Sequence, residues 1–503
     1  MSEHDTSSKP TLPATIRVAA CGLLLGTLAD QLLRVGPWGL NASIWFLTLA
    51  CCLVFLLGKC HPAIAWDRWS RVAAVGGFGL LILWRDSDVL KALNVLAILV
   101  ACIQLLISPF TQRLRDSSFL KHFVAAVEAG IGGAAGMPLL LAKDIPESYS
   151  RITEHENRPS MDLWIRLGWS SGLGLLITVP LLFVFGRLFM TADALFSHYV
   201  THLLDLDWHD LATHILVTAL CTWLIGGYLR AVAIGHVIPE EELRRADAVR
   251  SEAPTVLIPL VSLVLLFASF LLTQLPRFLG GDALIQAKTG VTYAEYAREG
   301  FFQLVAASAL ALPLLFTADW LMREASVTLR RIQRRLSIVW IMLIYLLMAS
   351  ALHRMFLYTE AYGLTELRLY TTVFMVWLAL LFVWYFATVH REKRDRFVPG
   401  SIVTGFVFVL LLNLANPDAF IVRHNLARLE AGKVFDSKYN LQLSADSIPV
   451  LAEVLAQDRE YSDWFAHWMG KNSLTDWRSW GIARHIAVRT LKAHGIESAP
   501  ETP

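Results

Sequence analysis

Residues 330–366, RRIQRRLSIVWIMLIYLLMASALHRMFLYTEAYGLTE, decide how the rest of the chain is read. Arginines crowd the front, an apolar run from Leu336 to Tyr358 follows, and a mixed turn with Glu360, Tyr362 and Glu366 closes the stretch. A run of this length matches the ~20 residues that carry a helix across a bilayer. A basic flank at one end marks the cytoplasmic end of a span. Inside the run stand His353 and Arg354. A charge at that depth is costly and is not explained by topology, so Arg354 is a candidate for function.

Similar apolar runs lie near 15–33, 38–58, 88–110, 164–187, 211–234, 255–276, 300–322, 367–388 and 398–415, with a short one at 71–84. Composition agrees: of 503 residues, 55% are hydrophobic and 17% charged, leaving more apolar surface than one soluble domain can hide. The expected fold is an all-α polytopic transmembrane helix bundle of about eleven spans. A polar tail over 1–13 precedes a membrane domain over 14–415, and a soluble helical segment occupies 416–503. Asn416-Pro417-Asp418 opens that segment with a cap, a first-turn proline and an acidic first turn. Its rings, Tyr461, Trp464, Phe465, Trp468, Trp477 and Trp480, read as a small core or a surface belt.

A net charge of +2, with Lys and Arg spread between apolar blocks, gives no basic face for nucleic acid. The cysteines form no CxxC pair, which argues against disulfides and zinc-thiolate sites. No phosphate-binding or nucleophile motif occurs in a credible context, and no cofactor or metal is expected. His198 and His202 share a helical face but lack the HExxH glutamate.

Orientation turns on 123–142, where Glu128 and the glycine-rich GIGGAAG interrupt the apolar pattern. If it does not cross, the six basic loops fall on one side. The N-terminus is then cytoplasmic and the C-terminus extracytoplasmic. On the outward side lie Asp30 with Arg34, the turn WRDSD at 84–88, the end of the helix carrying Arg354, and Asn413 to Asp418. Singly, each is explained by snorkelling or a local ion pair. Together they mix acids, Arg, Tyr and Asn as binding sites do. Asp319 and Arg323 at an inner end read as an intrahelical pair.

The segments LWRDSDVLKALN, TYAEYAREGFFQL, ALHRMFLYTEAYGLTELRLY, NLANPDAFIVRHNLAR and FDSKYNLQLSADSIPVL resemble, in order and character, a bacterial inner-membrane family catalogued as a domain of unknown function and sometimes labelled permease-like. The likeness runs from about Leu83 to Leu451 and implies fold and location only. Carried over residue by residue, it marks Arg85, Asp86, Glu295, Tyr296, Arg298, Arg354, Glu360, Tyr362, Asn416, Asp418, Asn425 and Arg428 as a substrate-binding site or its frame. Arg85, Glu295, Arg354, Glu360 and Asp418 are expected on one outward face, with Glu360 or Asp30 as partner to Arg354. Three readings follow. The first is a permease-like envelope protein handling a charged solute or proton. The second is a membrane enzyme acting on a lipid-linked substrate at the outer leaflet. The third is a sensor or assembly scaffold. Membrane lipids, with a small-molecule or lipid-linked substrate, are the expected partners.

Overall fold

The computed structural model describes residues 11–60, 66–107, 119–153, 208–235, 252–289, 301–322, 324–472 and 476–498, with a few isolated positions between 178 and 193. Among the described residues the fold is all-helical. Ten helices are long and apolar enough to cross a membrane, so the chain is an integral membrane protein of the polytopic helical class. The helices are α1 (Leu12–Leu33), α2 (Leu40–Cys60), α3 (Trp66–Trp84), α4 (Asp88–Leu106), α5 (Phe119–Leu139), α6 (Ile145–Thr153), α7 (Trp208–Ala233), α8 (Ala253–Thr289), α9 (Phe301–Leu321), α10 (Val327–Tyr362), α11 (Glu366–Thr388), α12 (Phe397–Ala415), α13 (Pro417–Glu430), α14 (Ser437–Leu441), α15 (Ile448–Leu455), α16 (Arg459–Asn472) and α17 (Ile482–Ala493). α3, with Asp67, Arg68 and Arg71 in its first two turns, is not among the ten. The span read at 164–187 lies outside the described residues.

The chain forms two compact units. In the first, drawn from 1–37, 44–76 and 126–237, small residues let backbones touch. A Cβ on Gly22 would sit 2.9 Å from the Cα of Gly226, and one on Gly136 would sit 2.4 Å from the carbonyl oxygen of Gly227. The GIGGAAG stretch is therefore a packing face. Pro138, lacking an N–H, leaves the carbonyl of Ala134 without its helical donor. The Trp223 indole of α7 donates to that oxygen at 2.7 Å. A π-helical turn, Leu140–Asp144, follows and links α5 to α6. It presents Asp144 to Arg230, whose Nε donates to Oδ2 at 2.6 Å.

The stretch Ala125–Tyr149 is long and apolar enough to span, and Gly132 and Gly136 of α5 meet Ala231 and Gly227 of α7, four residues apart on each helix.

In the second unit, α8 to α12 close around Trp340, Phe301, Phe382 and Ile344. α13 to α17 build a separate small core on Ile421, Val422, Ile448, Leu451, Phe465 and Leu491. Phe465 is fully buried, Tyr461, Trp464 and Trp468 pack around it, and Trp477 is exposed. The ring cluster of the tail is thus mainly core.

Candidate functional site: a polar joint at the helix ends

The helix ends of the second unit meet the C-terminal helices in a dense polar joint. Its centre is the turn between α3 and α4. The α3 helix stops at Trp84, and Arg85 folds back so that its Nε donates to the carbonyl of Asn413 at 2.7 Å and its Nη1 to Asp446 Oδ1 at 2.9 Å. The other oxygen of Asp446 accepts the backbone N–H of Asp86 at 2.7 Å. Asp86 in turn accepts from Lys91 at 2.8 Å and from Arg484 Nε at 2.9 Å. Arg484 also donates through Nη2 to the carbonyl of Trp38 at 2.8 Å. Below this, Asn94 and Asn413 exchange amide hydrogen bonds at 3.2 and 2.9 Å, both fully buried. Such charge-assisted, fully satisfied networks fix one geometry.

A second cluster ties α13 to the α10–α11 turn. Gly363 ends α10 at φ 80°, a left-handed conformation natural to glycine. A Cβ there would lie 2.6 Å from Arg428 Nη1 and 2.8 Å from Asn425 Oδ1. That close approach lets Asn425 accept from the N–H of Leu364 at 2.8 Å and donate to its carbonyl at 3.0 Å. Arg428 donates to the carbonyls of Glu360 and Ala361 at 3.0 and 3.1 Å. Glu360 gives its carboxylate to Lys433. Of the two acids expected beside Arg354, Glu360 thus pairs with Lys433, and Asp30, in the first unit, pairs with Arg34 at 3.2 Å and with His214 Nδ1 at 2.5 Å. Arg354 itself is buried on α10, whereas Tyr362 is exposed.

Between the two clusters sits Asp418, in the first turn of α13. Asn416, at φ 51°, caps that helix by accepting from the N–H of Ala419 at 3.3 Å, the cap read from Asn416-Pro417-Asp418. Asp418 is 1% exposed. Its Oδ2 accepts from the N–H and hydroxyl of Ser444, while its Oδ1 is buried with no donor among the described residues. Burial pushes its carboxyl up to about 6, against the hydrogen bonds from Ser444, and the neighbouring Asp446 pushes the same way as burial. Close enough to feel its charge are Tyr370, whose hydroxyl pairs with that of Ser87, and the carboxylate of Glu366. The backbone N–H of Glu366 donates to the Tyr439 hydroxyl at 2.7 Å.

Of the positions marked in the sequence, Arg85, Asp86, Asn416 and Asp418 share one network through Asp446 and Ser444. Asn425, Arg428 and Glu360 share the neighbouring one. Glu295, Tyr296 and Arg298 lie outside the described residues. Sequence reading missed Asp446, Ser444, Lys91, Asn94, Tyr370 and Arg484. The motif SADS at 444–447 was visible as text, but nothing in it says that its acid, Asp446, faces Arg85. At the opposite helix ends, Asp319 pairs with Arg394, 2.6 Å from Nε to Oδ2. Arg323, the partner expected from spacing, lies outside the described residues.

No curated protein and no solved structure matches the chain. Residues 72–454 match the family model described as a domain of unknown function, DUF4153. The joint built from Arg85, Asp86, Asn416, Asp418 and Asp446 falls inside that range, while Arg484 is supplied from beyond it. With more than half its length covered, the chain belongs to the DUF4153 family.

Proposed function

We propose that the chain is a permease-like protein of the bacterial inner membrane whose outward polar centre takes up a proton together with a small polar solute. One observation carries this reading: the buried Asp418 carboxylate keeps an oxygen without a donor among the described residues. Elsewhere in the joint the polar groups are largely spent on one another, so Arg85, Asp86, Asn416, Asn425 and Arg428 frame the site. Asp418 acts in it. A carboxyl that exchanges its proton near neutral pH is the group proton coupling requires. Glu295, Tyr296 and Arg298 join the same face by topology.

The orientation is N-terminus inside and C-terminus outside. Its support is that the start of α4, the end of α10 and the end of α12 all meet the C-terminal helices. The chain between α4 and α10 must then cross an even number of times, and it offers five apolar segments. Taking Ala125–Tyr149 as the one that does not span leaves the basic loops on one side. A reporter fused after Arg335 should be cytoplasmic and one at the C-terminus extracytoplasmic. The opposite result at either point overturns the orientation.

The function is tested in liposomes containing a pH-sensitive dye. Wild-type protein should dissipate an imposed pH gradient, Asp418→Asn should not, and Asp418→Glu should retain part of the flux. Equal flux from wild type and Asp418→Asn would overturn the reading.

A further inference from the structure

The arginine-rich start of α10 and the neighbouring ends of α9 and α11 line a cleft that the outward site does not use. Its polar wall holds Gln333 and Ser337, both buried and hydrogen-bonded to each other at 3.1 Å, and its floor is Ile338, Ile341 and Phe386. Around the mouth, Asp319 takes Arg394, and Arg334 Nη2 donates to Glu392 at 2.7 Å. Glu392 stands at φ 63°, a left-handed conformation uncommon for a residue with a Cβ, at the bend that brings its carboxylate to Arg334.

Among the described side chains, Arg330, Arg334 and Arg394 share the two carboxylates of Asp319 and Glu392. The Nε–H groups of Arg330 and Arg334 are buried and find no acceptor among them. A buried donor on a cation calls for an anionic oxygen, because leaving it unpaired costs the full desolvation of the group. Burial and Arg334 hold His390 below its ordinary pKa, so the ring, stacked on Phe386 at 4.8 Å, adds surface without charge. Outside the cleft, Arg331, Arg335, Arg391, Lys393 and Arg396 are exposed and raise the local positive potential.

We propose that the mouth of this cleft binds a phosphate ester, the headgroup of an anionic phospholipid, with Arg334 of its lining donating to the phosphate oxygens, Arg330 beside it adding charge, and Ile338 and Phe386 seating the first part of an acyl chain. Basic clefts between spanning helices are suited to such headgroups, since the guanidinium fork matches phosphate geometry. The apolar floor favours a lipid-borne phosphate over a soluble one.

The full-length protein in detergent is titrated with short-chain phosphatidylglycerol, with phosphatidylcholine of the same chains, and with inorganic phosphate. Phosphatidylglycerol should bind tightest, and inorganic phosphate at equal concentration should not displace it. The double variant Arg330→Gln, Arg334→Gln should weaken phosphatidylglycerol binding about tenfold to a hundredfold, and the exposed pair Arg331→Gln, Arg335→Gln by no more than about twofold. Glu392→Gln should tighten binding, because it frees Arg334 from its internal competitor. If the first double variant does not express, the Glu392→Gln result decides. Equal losses in both double variants, or no gain from Glu392→Gln, would overturn the site. Displacement by inorganic phosphate at equal concentration would overturn the lipid assignment.

Discussion

Gly22 of α1 lies against Gly226 of α7, and Gly136 of α5 against Gly227, so closely that no side chain intervenes, while Gly26 of α1 takes the small Thr222 hydroxyl. At the polar joint, by contrast, Arg85, Asp86, Lys91, Asp446 and Arg484 face one another across long side chains. The difference follows from the solvent. Within hydrocarbon there is no hydrophobic gain in bringing helices together, so close van der Waals contact between small residues does it. At the helix ends water is near, charges are tolerated, and paired charges impose a unique docking geometry. The seam is tolerant of chemistry and intolerant of volume; the joint is the reverse.

Four substitutions probe that contrast. Arg85→Ala should have the largest effect, about 3–5 kcal/mol of destabilisation, because it strands the Asp446 carboxylate, 2% exposed, beside Asp418. It is read as a fall in the thermal midpoint in detergent. The double variant with Asp446→Ala should lose less than the two singles together. An additive loss would mean that the pair does not hold the joint.

Next comes a pH effect. The folded Asp418 carboxyl, raised to about 6, binds its proton more tightly than in the unfolded chain, where its value is near 3.8. The folded state therefore loses stability as pH rises from about 4 to about 6 and levels off above that, a change of roughly 2–3 kcal/mol. Asp418→Asn should flatten that slope. A profile unchanged by the substitution would show that another group titrates.

Gly136→Ala tests the seam. With Gly227 backbone 2.4 Å from the added carbon, about 1–3 kcal/mol should be lost, with no change in pH profile. Gly58→Ala, where a Cβ meets nothing within 4 Å, is the control. The smallest effect is expected from Lys433→Ala, since Glu360 and Lys433 pair in solvent. Its midpoint should match that of the wild type.

Much of this fold was written in local patterns. The apolar runs gave the spans, and Asn416-Pro417-Asp418 gave the start of α13 to the residue, because period and cap are short-range properties. GIGGAAG was misleading for the same reason: glycines that lower hydropathy in one segment are a packing face only when a second glycine pair, 226–227, comes opposite. The partners in the joint were beyond reach. Asp446 and Arg484 stand hundreds of residues from Arg85 and Asp86, and every outward arginine was an equally good match for an acid. Asp319 shows the converse, since helical spacing proposed Arg323 while the chain supplied Arg394 from another connection.

The π-helical turn at Leu140–Asp144 carries a consequence for how this sequence can vary. Such a turn holds one residue more than an α-turn, so it behaves as an insertion absorbed in place. Deleting a single residue within it, Ala142 for instance, should let the turn close to regular α while everything after it keeps its direction, so that α6 still turns the same side toward α1. Deleting one residue from the regular α-helix before it should instead swing everything after the deletion by about 100° around the axis and take Asp144 away from Arg230. Length changes of one residue should therefore be tolerated at this turn and selected against in the helix before it, where a four-residue change, which restores the rotation to within about 40°, should do less harm than a change of one.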